Sequence, residues 1–415
     1  MSHTADTSTL GVRIAGYRED AVAFQCELTA IQALGPDNGG RGEWERSRYL
    51  VERARAFGLS DITEIHAPDP RVPSGSRPNL IIRVRGRVER PTVWVMAHMD
   101  TVPPGEISLW NGDPFVAEVR DGLIVGRGVE DNQQGLTAGL FALRALVDEG
   151  IVPTTDVCLL LVADEETGNE YGIEHVLRAA PQLFDPDDLV VVPDAGAPDG
   201  AVLEVAEKST LWLRFTVRGR QVHASIPGMG INANRAAALL TVRLDERLHQ
   251  LFHDEDPLFE PSGSTFEPTK RDANVPNVNT IPGEDVSYFD CRVLPHHDLA
   301  AVKTAAAEVV RSVEAELGVT VDVSYPAEHP AAPVTPPDSP VVEALSRAIR
   351  SLRDVEPRTV GIGGGTVAAA FRRRGIPAVV WATLEETAHA PNEYCRVDNL
   401  MDDMLVFARL FTRSG

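Results

Sequence analysis

Residues 92–100 read Thr-Val-Trp-Val-Met-Ala-His-Met-Asp, an apolar run that ends in a histidine and an aspartate. A continuous apolar run of this length is typical of a strand that is buried on both faces, as in a parallel sheet. Three further runs share this character, at residues 157–163, 189–192 and 378–382. Helical segments alternate with the runs, most clearly at residues 135–149. The alternation predicts an α/β fold with a mostly parallel sheet and crossover helices.

Residues 209–324 interrupt this pattern. Strand-like alternation and amphipathic helical spacing occur there together, with strands expected at residues 211–217, 286–293 and 319–323 and helices at 235–251 and 299–317. We therefore predict a smaller α+β domain at 209–324, inserted into a first domain made of residues 1–208 and 325–415. Within the insert, residues 254–276 are expected to form an extended surface loop.

Composition restricts the class of protein. The 415 residues carry 39 Lys and Arg against 61 Asp and Glu, a formal net charge of −22. This acidic balance argues against a nucleic-acid partner and against docking on an anionic membrane. No segment has the roughly 18 apolar residues of a membrane span, and the first 20 residues have no apolar signal core. The four cysteines have no zinc-finger or redox spacing, so we expect a reducing, cytoplasmic location.

Potential metal ligands follow each of the four predicted core strands. In chain order they are His98 and Asp100, then Glu165 and Glu166, then Asp194, then His389, with Asp131 in a glycine-containing turn before the predicted helix. In open α/β sheets, binding sites form at the carboxyl ends of the strands. Any one of these residues alone is more typical of a structural hydrogen bond or a helix cap. Together, the carboxylates would repel one another unless cations bound them, so we expect a divalent-metal site.

The ordered motifs of the chain resemble those of the dinuclear-metal aminoacylase and carboxypeptidase superfamily. They are His98-Met-Asp100, Gly126-Arg-Gly with Asp131, Asp164-Glu165-Glu166-Thr-Gly168, Asp194, Gly219 with His223-Ala-Ser, Asn279, Arg292, Gly363-Gly-Gly-Thr366 and His389-Ala-Pro-Asn-Glu393. Members include succinyl-diaminopimelate desuccinylase, acetylornithine deacetylase, glutamate carboxypeptidase and 5-nitroanthranilate aminohydrolase. The resemblance implies that 1–208 and 325–415 form the catalytic domain, and that 209–324 is a lid and dimerisation domain.

The resemblance also implies a set of metal ligands. His98 and Asp194 would bind a first ion, Glu166 and His389 a second, and Asp131 would bridge the two. One or two ions of zinc, manganese or cobalt per subunit would suit this set of imidazoles and carboxylates. The peptide bond after the bridging aspartate, Asp131–Asn132, is expected to be cis.

Three catalytic roles follow from the same resemblance. Asp100 would orient His98, since residues two apart on a strand face the same way. Glu165 would be the general base that takes a proton from the attacking water and delivers it to the leaving group. His223 would stabilise the oxyanion from a neighbouring subunit, which implies a homodimer or a higher homo-oligomer.

A substrate carboxylate is the expected ligand of the remaining motif residues. Arg292 and Asn279 resemble the carboxylate ligands of the family, and the backbone of Gly364, Gly365 and Thr366 would complete that pocket. The chain departs from the usual motifs at residues 132–134 (Asn-Gln-Gln) and at Val367, which follows Thr366. These departures leave the substrate open.

The sequence is compatible with three functions. The first is hydrolysis of the amide of an N-acyl amino acid or a short peptide by a metal-bridging hydroxide. The alternative is removal of an aromatic amino group, as from 5-nitroanthranilate, with the same metal centre. The third, a catalytically inactive binding or assembly protein, conflicts with an intact Glu165 and a complete ligand set.

Overall fold

A computed structural model describes residues 8–412 of the chain. The first seven residues of the N-terminal stretch, in which no signal core is expected, lie outside the described residues. The chain divides into a larger unit, Met1–Val205 with Thr335–Thr359 and Thr366–Gly415, and a smaller unit, Ala206–Val334 with Val360–Gly365. Across residues 8–412, every helix is too short or too polar to cross a membrane.

Ten helices and seventeen strands are formed by residues 8–412. The helices are α1 (Thr9–Ala15), α2 (Arg18–Ala30), α3 (Trp44–Ala56), α4 (Gln133–Asp148), α5 (Ile173–Ala179), α6 (Ala233–Leu251), α7 (Leu299–Leu317), α8 (Pro340–Leu352), α9 (Ala368–Arg372) and α10 (Val397–Phe411). The strands are β1 (Asp61–Pro68), β2 (Ser76–Val84), β3 (Val88–His98), β4 (Glu118–Arg120), β5 (Leu123–Val125), β6 (Thr155–Val162), β7 (Leu189–Gly196), β8 (Val202–Glu207), β9 (Ser209–Arg218), β10 (Val222–His223), β11 (Thr265–Arg271), β12 (Thr280–Ile281), β13 (Glu284–Val293), β14 (Thr320–His329), β15 (Arg358–Ile362), β16 (Ala378–Ala382) and β17 (Tyr394–Arg396).

The principal sheet has eight strands in the order β1-β2-β6-β3-β7-β16-β8-β15. The four central strands, β6-β3-β7-β16, are mutually parallel, whereas β1 pairs antiparallel with β2, β2 with β6, and β8 with β16. All of β6 and β16 is buried, which explains the continuous apolar runs in their sequences. The α/β fold class is confirmed, and the sheet is mixed, with its parallel part at the centre.

Helix α4 packs very close to the principal sheet. A Cβ atom at Gly135 would lie 2.4 Å from Cγ of Pro193 in β7, so only glycine fits at this position. Leu136, Leu140 and Leu143 are fully buried on the same helix. This close packing brings the start of α4 next to the carboxyl end of β7.

The smaller unit has its own core. Four antiparallel strands in the order β11-β13-β9-β14 form its sheet, and α6 and α7 supply the apolar residues that cover it. Strands β10 and β12 form a separate two-stranded antiparallel ribbon in the same unit. The expectation of a loop throughout 254–276 is wrong, because β11 lies within it and pairs with β13. Only Phe266 of β11 is buried, so the strand has almost no hydrophobic alternation to reveal it.

Candidate metal centre

The centre of the larger unit is built at the carboxyl ends of the parallel strands. His98 is the last residue of β3, and Glu165 and Glu166 open the 3₁₀ turn that follows β6. Asp194 lies near the end of β7, and His389 lies in the loop after β16. Because these strands are neighbours and point the same way, their ends meet at one edge of the sheet.

Asp131 connects two groups of side chains at this edge. Its Oδ1 lies 2.9 Å from Nε2 of His98, which in turn lies 3.4 Å from Oδ1 of Asp194. Its Oδ2 lies 3.1 Å from Nε2 of His389, which lies 3.2 Å from Oε2 of Glu166. Each oxygen of Asp131 therefore faces a different histidine, and the Nε2 atom of each histidine faces one further carboxylate. Asp131 is followed by a cis peptide bond to Asn132.

The donor atoms fit divalent metal ions. Ligand atoms of His98, Asp131 and Glu166 lie within 4.8 Å of one another, and so do those of His98, Glu165 and Asp194. Glu166 Oε1 is buried and has no hydrogen-bond partner among residues 8–412. A buried carboxylate oxygen without a donor is costly, and a cation would satisfy it.

The protonation of the two histidines reflects the surrounding negative charge. Burial lowers the pKa of His98, but hydrogen bonds with Asp100, Asp131 and Asp194 outweigh burial and raise that pKa well above its usual value. Hydrogen bonds with Asp131 and Glu166 raise the pKa of His389 to about 10. The raised pKa values favour protons on the two imidazoles, which offset the charge of the carboxylates. A metal ion would take the place of these protons, since only the neutral imidazole binds it.

Glu165 lies beside the ligands and is held by Asp100. Its backbone N–H donates to Asp100 Oδ1 at 3.1 Å, and the N–H of Glu166 donates to Asp100 Oδ2 at 3.1 Å. His98 Nδ1 lies 3.0 Å from the Asp100 carbonyl oxygen. Asp100 thereby ties the turn after β6 to the end of β3. Burial, followed by the charge of Asp194, raises the pKa of Glu165 well above its ordinary value, which favours proton uptake.

Glu393 supports the loop that carries Asp131, a role that sequence reasoning missed. Its carboxylate accepts the backbone N–H groups of Gly128, Glu130 and Asp131 at 2.9, 3.0 and 3.1 Å. It also pairs with Arg127 at 2.6 Å in the interior. Arg127 and Glu393 both belong to the motifs quoted above, Gly126-Arg-Gly and His389-Ala-Pro-Asn-Glu393. Their place in these motifs is the one feature of the sequence that points to this supporting role.

Glu130, in the loop that carries Asp131, binds the loop that carries His389. Its carboxylate accepts the N–H groups of Glu385 and Thr387, at 2.6 and 2.5 Å, and the Thr387 hydroxyl at 2.7 Å. Glu130 and Glu393 therefore join the loop bearing Asp131 to the loop bearing His389 from both sides. The two ligands are placed by this buried carboxylate network.

Arg292 lies in the smaller unit with most of its donors already bound. Nε and Nη2 donate to Asp290 at 2.6 and 3.1 Å, and Nη1 donates to Thr210 Oγ1 and to the Gly363 carbonyl at 3.1 and 3.0 Å. These bonds leave one of the five N–H groups, on Nη2. Cβ atoms built at Gly364 and Gly365 would meet no atom within 4 Å, so there is space beside this turn.

His223 of β10 and Asn279, the residue before β12, are brought together in the smaller unit. Nδ2 of Asn279 lies 3.5 Å from Nε2 of His223, and Nδ1 of His223 lies 2.7 Å from the Ser225 hydroxyl. Both side chains are exposed. All the expected metal ligands therefore lie in the larger unit, and Arg292, Asn279, His223, Gly364 and Gly365 lie in the smaller one. Thr366 is the residue at which the chain re-enters the larger unit.

Comparison with known proteins gives a consistent result. Residues 94–413 match the family model described as peptidase family M20/M25/M40. An uncharacterized metallohydrolase of Methanococcus maripaludis is 35% identical over 403 residues, covering 92% of this chain and 96% of that protein. A succinyl-diaminopimelate desuccinylase of Cereibacter sphaeroides is 27% identical over 394 residues, covering 94% and 98%. The crystal structure of a tripeptidase from Staphylococcus aureus has a TM-score of 0.75 at 22% identity, covering 95% of this chain and 98% of that one.

Proposed function

The chain belongs to peptidase family M20/M25/M40 and is a metallo-hydrolase that acts on C–N bonds, and from this premise we propose that it cleaves the amide of a small, carboxylate-bearing substrate. An N-acyl amino acid or a short peptide has that chemistry. The observation that carries the proposal is Asp131, whose two oxygens serve two different histidines beside an acid of raised pKa, Glu165. Relatives named as a desuccinylase and a tripeptidase support the choice of bond.

Each residue of the centre has a proposed task. His98 and Asp194 would hold one ion, and Glu166 and His389 another, with Asp131 shared. When bound, zinc, manganese or cobalt would supply Lewis acidity for the substrate carbonyl and for a water molecule. Glu165 would accept the proton of the attacking water and return it to the leaving amine. Asp100 would orient His98 and the turn that carries Glu165, since it accepts the backbone N–H groups of Glu165 and Glu166 and its carbonyl oxygen lies 3.0 Å from His98 Nδ1.

The substrate carboxylate would be received in the smaller unit. Arg292 offers the remaining Nη2–H, and the open turn at Gly364 and Gly365 offers backbone N–H groups, with Thr366 at its end. Asn279 would add an amide donor. Since Asp290 already occupies two donors of Arg292, we propose a contact through one N–H and the backbone rather than a two-pronged grip.

Assembly and location are further parts of the proposal. We propose a homodimer, or a larger homo-oligomer, in which His223 of one subunit donates to the developing oxyanion in the other subunit. The exposure of His223 on a ribbon of the smaller unit supports this role. All four cysteines are free thiols, which agrees with our proposal of a cytoplasmic enzyme.

A single panel of substrates tests the proposed bond. Acyl amino acids, dipeptides and aminobenzoates would be offered to the enzyme with added Mn²⁺, Zn²⁺ or Co²⁺. We expect release of an acyl group or an amino acid, and faster turnover of each carboxylate than of its carboxamide analogue. Ammonia from aminobenzoates without any acyl release would instead establish the aromatic aminohydrolase alternative and overturn amide hydrolysis.

The carboxylate contact has its own test. Arg292→Ala should lose most of the preference for carboxylate over carboxamide, measured as a ratio of kcat/KM values. Thr210→Val, which removes one internal partner of Arg292 and keeps the guanidinium, is the matched control and should retain the preference. An unchanged preference in Arg292→Ala would remove this residue from the substrate site.

A further inference from the structure

A second cluster of potential metal ligands lies in the smaller unit. It consists of Asp254, which follows helix α6, and of His296 and His297, which precede helix α7. Nε2 of His297 lies 2.7 Å from Asp254 Oδ1, and Nε2 of His296 contacts Asp254 Oδ2. One donor atom from each residue falls within 4.8 Å of the other two. Both imidazoles therefore direct the same ring nitrogen at one carboxylate.

We propose that Asp254, His296 and His297 form a separate divalent-metal site, with the donor chemistry of Zn²⁺. Two imidazoles and a carboxylate are a donor set that zinc binds, with a water molecule in the fourth position. A tetrahedral ion with bonds of about 2.0–2.1 Å needs donor atoms about 3.3 Å apart. Nε2 of His297 lies 2.7 Å from Asp254 Oδ1, closer than this, and Asp254 and His296, 42% and 50% exposed, have room to separate around an ion.

The ligands are held in place before any ion binds. The ring of His297 packs edge-on against Phe252, with centroids 5.0 Å apart, and Phe252 packs on Phe266 in the core of the unit. His296 and His297 lie with their ring centroids 4.2 Å apart. This packing fixes the more buried imidazole, so less conformational freedom is lost when the metal binds.

The two ligand-bearing segments also enclose a small apolar cluster. Phe259, five residues after the ligand Asp254, packs with Leu294 and Ala206. The backbone N–H of Leu294 donates to the Ser264 hydroxyl at 3.0 Å. The same loop accepts the Gly361 N–H at the Leu258 carbonyl, at 2.6 Å. A metal ion at the cluster would fasten this loop, and through Gly361 it would steady the segment that leads to the open turn at Gly364.

Counting bound metal tests the site. The full chain would be stripped with a chelator, loaded with Zn²⁺, separated from free metal and analysed for zinc by mass spectrometry. Wild type should bind one more equivalent than the double variant His296→Gln with His297→Gln, and one more than Asp254→Asn. His253→Gln, an exposed histidine outside the cluster, is the control and should bind as wild type. Equal zinc in wild type and in all variants would overturn the proposal.

A second measurement uses only the wild-type protein, so its result does not depend on whether a variant folds. Diethyl pyrocarbonate modifies accessible neutral imidazoles, and peptide mapping would locate the modified histidines in wild type with and without Zn²⁺. Zinc should protect the peptide bearing His296 and His297 and leave His253 modified. Equal modification of His296 and His297 under both conditions would overturn the site, whatever the variants do.

Discussion

At the scale of single residues, Glu165 and Asp131 are neighbours in the centre with separable tasks. Asp131 contacts both histidines through its two oxygens, so it belongs to the framework that holds metal. Glu165 is tied to Asp100 through its backbone N–H, and its carboxyl group lies beside His98 and Asp194, where by our proposal it acts as the base. A substitution of Glu165 should therefore reduce turnover, whereas a substitution of Asp131 should reduce the amount of bound metal.

Glu165→Gln should abolish turnover while leaving bound metal nearly unchanged. The amide keeps the shape of the side chain but cannot accept a proton, and general acid–base catalysis contributes about 10²–10⁴-fold. Steady-state kinetics and metal analysis of the same preparation provide the two readouts. A loss smaller than about 10²-fold would assign the base to another residue.

Asp131→Ala should instead reduce the metal content. Removing this carboxylate takes a ligand from both donor sets and leaves His98 and His389 without their shared partner. We expect chelation at concentrations that spare wild type to strip the variant, as followed by metal analysis after dialysis. Asp199→Ala, in a turn outside the centre, is the control. Metal retained at the wild-type level in Asp131→Ala would contradict the shared-ligand arrangement.

At the scale of elements, the sequence was most informative where burial is complete. Strands β3, β6, β7 and β16 and helix α4 were predicted within a few residues, because their apolar periods are strong and ligand-type residues mark the strand ends. Strand β11 was missed because a strand with a single buried side chain lacks such a period.

The supporting network of the centre could not be predicted for a different reason. Glu393 meets backbone N–H groups more than 260 residues earlier in the chain, and no local pattern encodes such a contact. The pairing of Arg292 with Asp290 is a local contact, since residues two apart on a strand face the same way, and it changes how Arg292 can bind a carboxylate. Sequence motifs identify which groups carry chemistry, whereas tertiary structure decides which of their donors remain free.

Helix α4 provides a prediction at this scale. Gly135→Ala should destabilise the fold, because the new Cβ would lie 2.4 Å from Pro193 in the strand that carries Asp194. Alanine favours a helix over glycine by about 1 kcal/mol, but overpacking costs about 1–3 kcal/mol, so the clash should win. Urea unfolding measures the difference. Gly228→Ala, whose Cβ would meet no atom within 4 Å, is the control and should unfold like wild type. A stabilised Gly135→Ala variant would refute this close approach.

At the scale of the whole molecule, the net charge of −22 opposes capture of an anionic substrate from a distance. Screening at physiological salt limits that repulsion to about 8 Å. Capture of a carboxylate must therefore depend on local cationic groups. By our proposal these are the bound metal ions, Arg292 and a histidine from a second subunit.

The contribution of the second subunit can be tested by complementation. His223→Ala and Glu165→Gln should each be inactive alone, since one lacks the oxyanion donor, worth about 10²–10³ in rate, and the other lacks the base. A hybrid dimer of the two would contain one site with both intact residues, if His223 acts across the interface. After equal mixing and complete exchange, half of the dimers are hybrids and half of their sites are complete, so about one quarter of wild-type activity should return. If His223 acts within its own subunit, no hybrid site is complete. Verified subunit exchange without any recovered activity would therefore refute action across subunits.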